Sequence, residues 1–237
     1  MERNMEPILR EGFAALGLPL SDTAAARYAS YYAFLAERSQ VMNLTAIHGE
    51  AETARLHFLD CAAVLSVADL PEGAAVIDVG SGAGFPGLPM KIAREDLQLT
   101  LLDSLQKRVQ FLSETCERLG LDDVQCLHAR AEEARALRGR FDAAVSRAVA
   151  RLSVLAELCL PFVKVGGVFL AMKGPGAQEE LAEAARAIET LGGGEAEILP
   201  YTIPGMEQTH NVICIRKLAP TPEKYPRRWA KIQKNPL

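Results

Sequence analysis

The 237-residue chain lacks the features of a membrane protein, a disulfide-bonded scaffold or a zinc protein. No apolar run approaches the roughly 20 residues that a bilayer-spanning helix needs. The opening MERNMEPILREGF is charged and has no continuous apolar segment, so no secretory signal is expected. The five cysteines include no CxxC pair, which favours reduced, buried thiols. We therefore expect a cytoplasmic protein without a metal, and its apolar content of 49% is sufficient for a core.

Positive charge is scarce overall but concentrated at the end of the chain. The formal net charge is −4, which does not favour nucleic-acid binding by the whole surface. From Arg216 onward, seven residues are Lys or Arg and one, Glu223, is acidic. Because salt screens charge beyond about 8–10 Å, this basic tail would act locally, on phosphates near it. A solvated tail without a partner is the alternative.

The first 70 or so residues have a helical pattern. Ser21 and Asp22 precede a long amphipathic stretch, and both residue types are good helix N-caps. The segment NLTAIHG, residues 43–49, interrupts the pattern, and a second helical stretch follows over 52–67. His57 and Asp60 lie three residues apart on it, which predicts a local hydrogen bond or, alternatively, a place at the substrate entrance. The turn PEG, 71–73, marks a subdomain boundary.

Beyond residue 73 the pattern changes to apolar strands that alternate with helices. This alternation predicts an α/β fold with a mostly parallel, doubly wound sheet. The last two predicted strands are joined by too short a segment for a crossover helix, so they should form an antiparallel hairpin. The predicted strands are 74–79, 97–103, 124–129, 141–146, 166–173, 196–203 and 210–217, and the predicted helices between them are 88–93, 106–119, 149–160 and 178–191. We divide the chain into a helical extension (1–72), a sheet domain (73–218) and a basic tail (219–237).

The stretch VIDVGSGAGFPG, residues 76–87, follows a buried strand with a glycine-rich loop. Glycines permit a tight turn and let a ligand approach the bare backbone. In a parallel sheet such a loop lies at the carboxyl edge, where ligands bind. A dinucleotide fingerprint, GxGxxG, would need a third glycine where the chain has Phe85. The GxGxG spacing of Gly80, Gly82 and Gly84 suits a ligand without a pyrophosphate, such as S-adenosylmethionine.

Three further side chains follow the ends of neighbouring strands. Asp103 can accept hydrogen bonds from ribose hydroxyls, or cap the next helix. Glu132 lies where a carboxylate and backbone N–H groups would meet an adenine, or is a first-turn helix acid. Arg147 can pair with a carboxylate or a phosphate, or lie on the surface. His48 and His128 have no second ligand at metal spacing, so no metal is assigned.

The motifs together resemble the bacterial 16S rRNA guanine-N7 methyltransferase G family, historically named glucose-inhibited division protein B. The resemblance covers nearly the whole chain, and it is carried by NLTAI (43–47), HFLD (57–60), DVGSGAGFPG (78–87), LLDS (101–104), RAEE (130–133), SRAVA (146–150), KG (173–174) and KNPL (234–237). It implies a class I S-adenosylmethionine-dependent methyltransferase fold with a helical extension. It also implies transfer of a methyl group to guanine N7 in the 530-loop region of 16S rRNA. The implied cofactor contacts are Gly80, Gly82, Gly84, Phe85, Asp103, Ser104, Leu105, Ala131, Glu132 and Arg147. In QTHN, 208–211, the expected basic residue before His210 is missing, which puts an RNA contact there in doubt.

Guanine N7 carries no proton, so we predict that no general base is essential and leave the catalytic residues unassigned. Asn43 and Arg147 are candidates for positioning the base, although Asn43 also suits a turn. Phe85, Tyr31 or Tyr32 would stack on it, although both tyrosines also suit a helix core. Arg130, Lys173, Arg227 and Arg228 are the predicted RNA contacts. The alternatives are a methyltransferase for a small molecule or another RNA, a nicotinamide-dependent oxidoreductase, and a non-catalytic RNA-binding factor. The partner is 16S rRNA, free or in a small subunit or its assembly intermediate.

Overall fold

The computed structural model describes residues 5–147 and 150–237. Its centre is a seven-stranded sheet in the order β3-β2-β1-β4-β5-β7-β6. The pairings β3–β2, β2–β1, β1–β4 and β4–β5 are parallel, and β7 runs antiparallel to both β5 and β6. The strands are β1 (Ala75–Val79), β2 (Gln98–Asp103), β3 (Gln125–His128), β4 (Phe141–Ser146), β5 (Val163–Lys173), β6 (Gly193–Thr202) and β7 (Thr209–Lys217). The predicted fold class and the terminal hairpin are confirmed.

The strand order places the carboxyl ends of β1 and β4 side by side at the centre of the sheet. From β1 the chain continues to β2 and β3 on one side, and β4 and β5 lie on the other. The connections therefore diverge between β1 and β4, which is where open α/β sheets bind their ligands. Asp103, His128 and Ser146 end their strands at this same edge.

The helices lie close to the predicted positions. They are α1 (Met5–Ala15), α2 (Asp22–Ser39), α3 (Glu50–Thr53), α4 (Asp60–Val67), α5 (Gly87–Ala93), α6 (Gln106–Leu119), α7 (Leu152–Cys159), α8 (Ala177–Thr190) and α9 (Trp229–Lys234). Ser21 caps α2 as predicted, because its side chain accepts a hydrogen bond from the Ala24 N–H at 3.0 Å. The helix predicted from Val149 begins at Leu152, and Val149 lies outside the described residues. The helix α9 is an addition that the tail's charge pattern did not predict.

The helical extension shares its core with the sheet domain. Tyr28 and Tyr31 of α2 are fully buried with Phe58, in one hydrophobic cluster that reaches Val76 of β1 and Leu101 of β2. The Tyr28 hydroxyl donates to the Pro89 carbonyl oxygen at 2.7 Å, on the far side of that interface. Tyr31 is therefore a core residue, as the alternative interpretation of it predicted.

A π-helical turn, Ala54–Leu59, joins α3 to α4 and contains His57. Such wide turns are frequent at functional sites, because the extra residue redirects the side chains around it. Here His57 and Asp60 both face the interior and are almost fully buried. The turn therefore delivers two polar side chains to the interface between the extension and the sheet.

The five cysteines are free thiols. Cys61, Cys116 and Cys159 are buried as predicted, whereas Cys126 and Cys214 are only partly buried. Among the described residues, no helix has both the length and the apolar character needed to cross a bilayer.

Candidate active site

A cavity of about 320 Å³ opens at the carboxyl edge of the sheet beside β1. Most of its wall is backbone and small or apolar side chains, so a ligand there would meet few charges. It is lined by Val79, Gly80, Leu102, Ser104, Ala129, Arg130, Ala131, Glu132, Ala150, Leu155, Leu158 and Trp229. Five predicted site residues thus come together: Gly80, Ser104, Ala131 and Glu132 as cofactor contacts, and Arg130 as an RNA contact.

The glycine loop has one open end and one closed end. A Cβ on Gly80 would meet no atom within 4 Å, so this residue leaves space for a ligand in the cavity. A Cβ on Gly84 would lie 2.6 Å from the Tyr31 hydroxyl and 2.6 Å from Leu88 Cδ1. Gly84 is therefore bare because the helical extension packs against it, and Tyr31 completes that contact by donating a hydrogen bond to the Ala83 carbonyl oxygen.

Asp103 holds the glycine loop in place. Its carboxylate accepts hydrogen bonds from the backbone N–H groups of Gly82 and Leu105, both at 2.9 Å. Leu105 is the N-cap of α6 and no side chain caps this helix, so the alternative that Asp103 is its cap is wrong. Asp103 is buried and is not among the described residues that line the cavity. Its contact with a ribose, like the contacts of Leu105 and Gly82 with the cofactor, stays a prediction.

The first backbone N–H group of α5 is hydrogen-bonded within the protein. The Gly87 N–H, at the start of this helix, donates to Asp78 Oδ2 at 2.8 Å. The Gly87 N–H is therefore not free to face a ligand. Burial of the Asp78 carboxyl raises its pKa to about 7, and the Gly87 N–H opposes that rise. Asp78 Oδ1 has no hydrogen-bond partner among the described residues.

Arg147 lies at the centre of a buried polar network behind the closed end of the loop. Its guanidinium donates to the Leu56 carbonyl oxygen at 3.0 Å, to Asp60 Oδ2 at 3.3 Å and to His57 Nδ1 at 2.8 Å. The guanidinium also packs on the Phe85 ring of the loop, with Arg147 Cζ 4.7 Å from the ring centroid. His57 stacks on the same ring at 4.2 Å. Phe85 is thus enclosed by protein, and neither it nor Arg147 lines the cavity among the described residues.

The network includes residues that are far apart in the sequence. Asp60 also accepts hydrogen bonds from the Tyr201 hydroxyl at 2.8 Å and from His210 Nδ1 at 3.0 Å. Thr45 Oγ1 lies 2.7 Å from His57 Nε2 and accepts from the Ile47 N–H. The predicted local hydrogen bond between His57 and Asp60 is wrong, because both turn toward Arg147 instead. Residues from four separate motifs, around 45, 57–60, 147 and 210, are therefore joined in one hydrogen-bonded network that includes the Arg147 guanidinium.

The partners of His57 define its protonation. An arginine donates only, so His57 Nδ1 must be the acceptor, and Nε2 carries the proton that is donated to Thr45. Burial, followed by the Arg147 cation, lowers the pKa of His57 to about 3. The ring is accordingly neutral near pH 7. His210 differs, because its bond to Asp60 raises its pKa.

Of the four predicted RNA contacts, two have exposed side chains, and two have buried or partly buried side chains that form ion pairs. Arg130 is 55% exposed at the cavity rim, and Arg228 is exposed on the tail. Lys173 is buried, with its ammonium 2.7 Å from Glu180 and from the Ala150 carbonyl oxygen. Arg227 forms a forked ion pair with the buried Glu157. Lys173 and Arg227 are thus ion-paired within the protein, and their contact with a phosphate stays a prediction.

Comparison with known proteins establishes the family. The sequence model of the rRNA small subunit methyltransferase G family (GidB) matches residues 25–213. The chain belongs to this family. It is 44% identical to the ribosomal RNA small subunit methyltransferase G of Clostridium botulinum (strain Loch Maree / Type A3), over 97% of this chain and 98% of that one. It is 45% identical to the same enzyme of Alkaliphilus metalliredigens, over the full length of both.

A solved structure supports the fold. The crystal structure of M. jannaschii TYW2 in complex with AdoMet superposes with a TM-score of 0.51 at 16% identity, over 62% of this chain and 70% of that one. As a member of the methyltransferase G family, the chain is an S-adenosylmethionine-dependent rRNA methyltransferase. The cavity suits that cofactor, because Gly80 leaves it open and Ser104 and Glu132 supply polar groups beside an otherwise apolar wall.

Some residues of the site had no signal in the sequence. Thr45 lies in the motif NLTAI, but its hydrogen bond to His57 could not be predicted, because it depends on how the chain folds. Tyr201 and Trp229 come from β6 and the tail, far along the chain from the glycine loop. In the described part of the chain, no group of three or more His, Cys, Asp or Glu side chains is arranged to hold a metal ion.

Proposed function

We propose that this protein transfers the methyl group of S-adenosylmethionine to N7 of a guanine in the 530-loop region of 16S rRNA, in the cytoplasm. The cofactor supplies an electrophilic methyl carbon, and N7 attacks it with its lone pair while the carbon–sulfur bond breaks toward sulfur. The products are S-adenosylhomocysteine and a cationic N7-methylguanine. The full-length similarity to enzymes named for the small subunit supports this substrate.

The chemistry requires positioning rather than proton transfer. Since N7 has no proton to lose, the enzyme must hold it about 3–3.5 Å from the methyl carbon and in line with the breaking bond. A side chain with a free lone pair is not needed, and His57 has none to offer, since both its nitrogens are hydrogen-bonded. This pattern fits a methyl acceptor that is already nucleophilic.

The proposal is supported by a cavity with a mostly apolar wall and with Arg130 and Glu132 as its charged lining residues. Arg130 lines the cavity mouth, and the exposed Arg151 and Arg228 directly follow and precede the lining residues Ala150 and Trp229. Exposed arginines that neighbour cavity-lining residues in the sequence suit the phosphates of an RNA strand. The exposed Asn43 stays our candidate for the base edge, and Thr45 on the same loop ties it to the Arg147 network.

The experiment compares substrates for the purified protein with labelled S-adenosylmethionine. Protein-free 16S rRNA, small subunits and assembly precursors are offered separately, with 23S rRNA as the control. We expect label in 16S rRNA, mapped by mass spectrometry to N7 of one guanine in the 530 loop, and the same site unmodified in cells without the protein. Label at another base or position would overturn the N7 or 530-loop assignment. Label only in small molecules, or binding without transfer, would favour the alternative functions.

A further inference from the structure

The C-terminal tail is fastened to the sheet domain rather than free. The Arg138 guanidinium donates to the Thr221 carbonyl oxygen at 2.7 Å and to the Tyr225 carbonyl oxygen. The buried Lys217 donates to the Leu191 carbonyl oxygen at 2.6 Å and contacts the Thr221 hydroxyl. Both cations thus bind carbonyls or hydroxyls within the protein, and residues 217–225 follow a defined path over its surface.

The second fastening is an ion pair between the tail and α7. Arg227 Nε and its terminal nitrogen lie 2.8 and 2.5 Å from the two carboxylate oxygens of Glu157, and the Arg227 N–H donates to the same carboxylate at 2.8 Å. Glu157 is fully buried. Paired, forked bonds of this kind determine orientation as well as distance. They set the point at which α9 begins, two residues later.

This geometry brings Trp229, the first residue of α9, to the cavity. Its side chain forms the wall together with Leu155 and Leu158 of α7, and Ala131 and Glu132 line the same space. Trp229 is only partly buried, so part of the indole is available to a ligand. A flat aromatic surface beside a glycine loop is suited to an adenine ring, since bases stack favourably on aromatic side chains.

We infer that Trp229 is a cofactor-binding residue that contacts the adenosine part of S-adenosylmethionine, and that Arg227 is a positioning residue that holds it there. The inference rests on the assignment of this cavity to the cofactor. It assigns the tail to cofactor binding, in addition to any contact that the exposed Arg228 makes with RNA. The family match ends at residue 213, so it does not include this segment.

Trp229 is the single tryptophan of the chain, so its fluorescence reports on the cavity alone. Titration with S-adenosylmethionine should change the emission saturably, at the affinity that calorimetry gives for the same protein. We expect Trp229→Ala to weaken binding about tenfold or more and Trp229→Phe to retain most of it. Arg227→Gln should weaken binding in the same direction and make the Trp229 emission more like that of a solvated indole. Lys234→Gln, an exposed change on α9, is the matched control and should change neither.

Two results would overturn the inference, and they differ in what they say about the cavity. If Gly80→Ala weakens binding while Trp229→Ala binds normally and the wild-type emission does not respond, the cofactor occupies the cavity without touching the tail. If neither variant changes the affinity, the cofactor lies elsewhere, and the assignment of the cavity fails with it. Circular dichroism and thermal unfolding of each variant separate loss of binding from loss of folding.

Discussion

The glycine loop separates two regions of the site that are built in opposite ways. On the Gly80 side the wall is mostly backbone and apolar side chains around an open cavity. On the Gly84 side the protein fills the space itself, with Tyr31, Phe85 and the polar network around Arg147. One loop therefore borders an open cavity on one side and a packed interface on the other. Gly80 and Gly84 therefore stand in one motif for different physical reasons, which only their surroundings distinguish.

The largest effect should come from the closed region. Arg147→Ala would leave Asp60 buried without its guanidinium and His57 Nδ1 without a donor. Removal of one partner from a buried pair costs about 3–5 kcal/mol, so we expect the free energy of unfolding, measured in urea, to fall by about that much. Arg147→Lys should recover only part of it, because one ammonium cannot replace a fork with three partners.

Arg151→Ala, an exposed arginine four residues away, is the control for the loss of a cation. Calorimetry on the folded Arg147 variants then tests the separate prediction that Arg147 also contributes to cofactor binding. A loss of less than about 1 kcal/mol in Arg147→Ala would mean that the network contributes no more than a surface ion pair.

The open region is tested by Gly80→Ala. The added methyl group would occupy ligand space, and we expect the affinity for S-adenosylmethionine to fall by roughly 10- to 100-fold, or about 1.4–2.8 kcal/mol. Gly139→Ala is a matched control, because Gly139 also has a positive φ (+62° against +76°) and open space around its Cβ position. Both variants should lose similar stability from backbone strain, but only the first should lose affinity. Equal affinities in the two would show that nothing binds against Gly80.

The third test concerns the pH dependence of the closed region, where the effect appears as a slope rather than as a loss at one pH. Because the pKa of His57 is lowered from 6.5 to about 3, neutral His57 stabilises the fold above pH 6.5, and this stability is lost as the pH falls toward 3. In His57→Asn the amide oxygen can still accept from Arg147, but nothing titrates there. The free energy of unfolding should therefore decline less steeply between pH 6.5 and 3 in the variant, by an amount on the order of a few kcal/mol. Parallel curves would mean that His57 titrates alike in the folded and unfolded chain.

Much of the fold was predictable from local pattern. The alternation of apolar strands with amphipathic helices identified the seven strands to within about three residues, and Ser21 marked the start of α2. The short link before Thr209 was enough to predict the hairpin. These features were predictable because hydrophobic periodicity and helix capping depend on residues that are close together in the sequence.

The site was predictable only in part. Gly80, Ser104, Ala131 and Glu132 all follow strand ends, and parallel strands bring such positions to one edge, where the structure has its cavity. The partners of Arg147 were not predictable, because Leu56, His57 and Asp60 are separated from it by tens of residues and reach it only after the extension packs on the sheet. The same is true of the tail: its charge pattern suggested phosphates for Arg227, whereas the folded chain presents it with the buried carboxylate of Glu157.

The order of residues was therefore enough to specify the sheet, its carboxyl edge and the family to which the chain belongs, because these depend on short-range periodicity and on contiguous motifs. Long-range packing decided which glycine faces the cavity, which arginine is exposed and where the single tryptophan lies. The physical reason is that a side chain's charge and shape are properties of the residue, whereas its burial and its partners depend on what the rest of the chain places beside it.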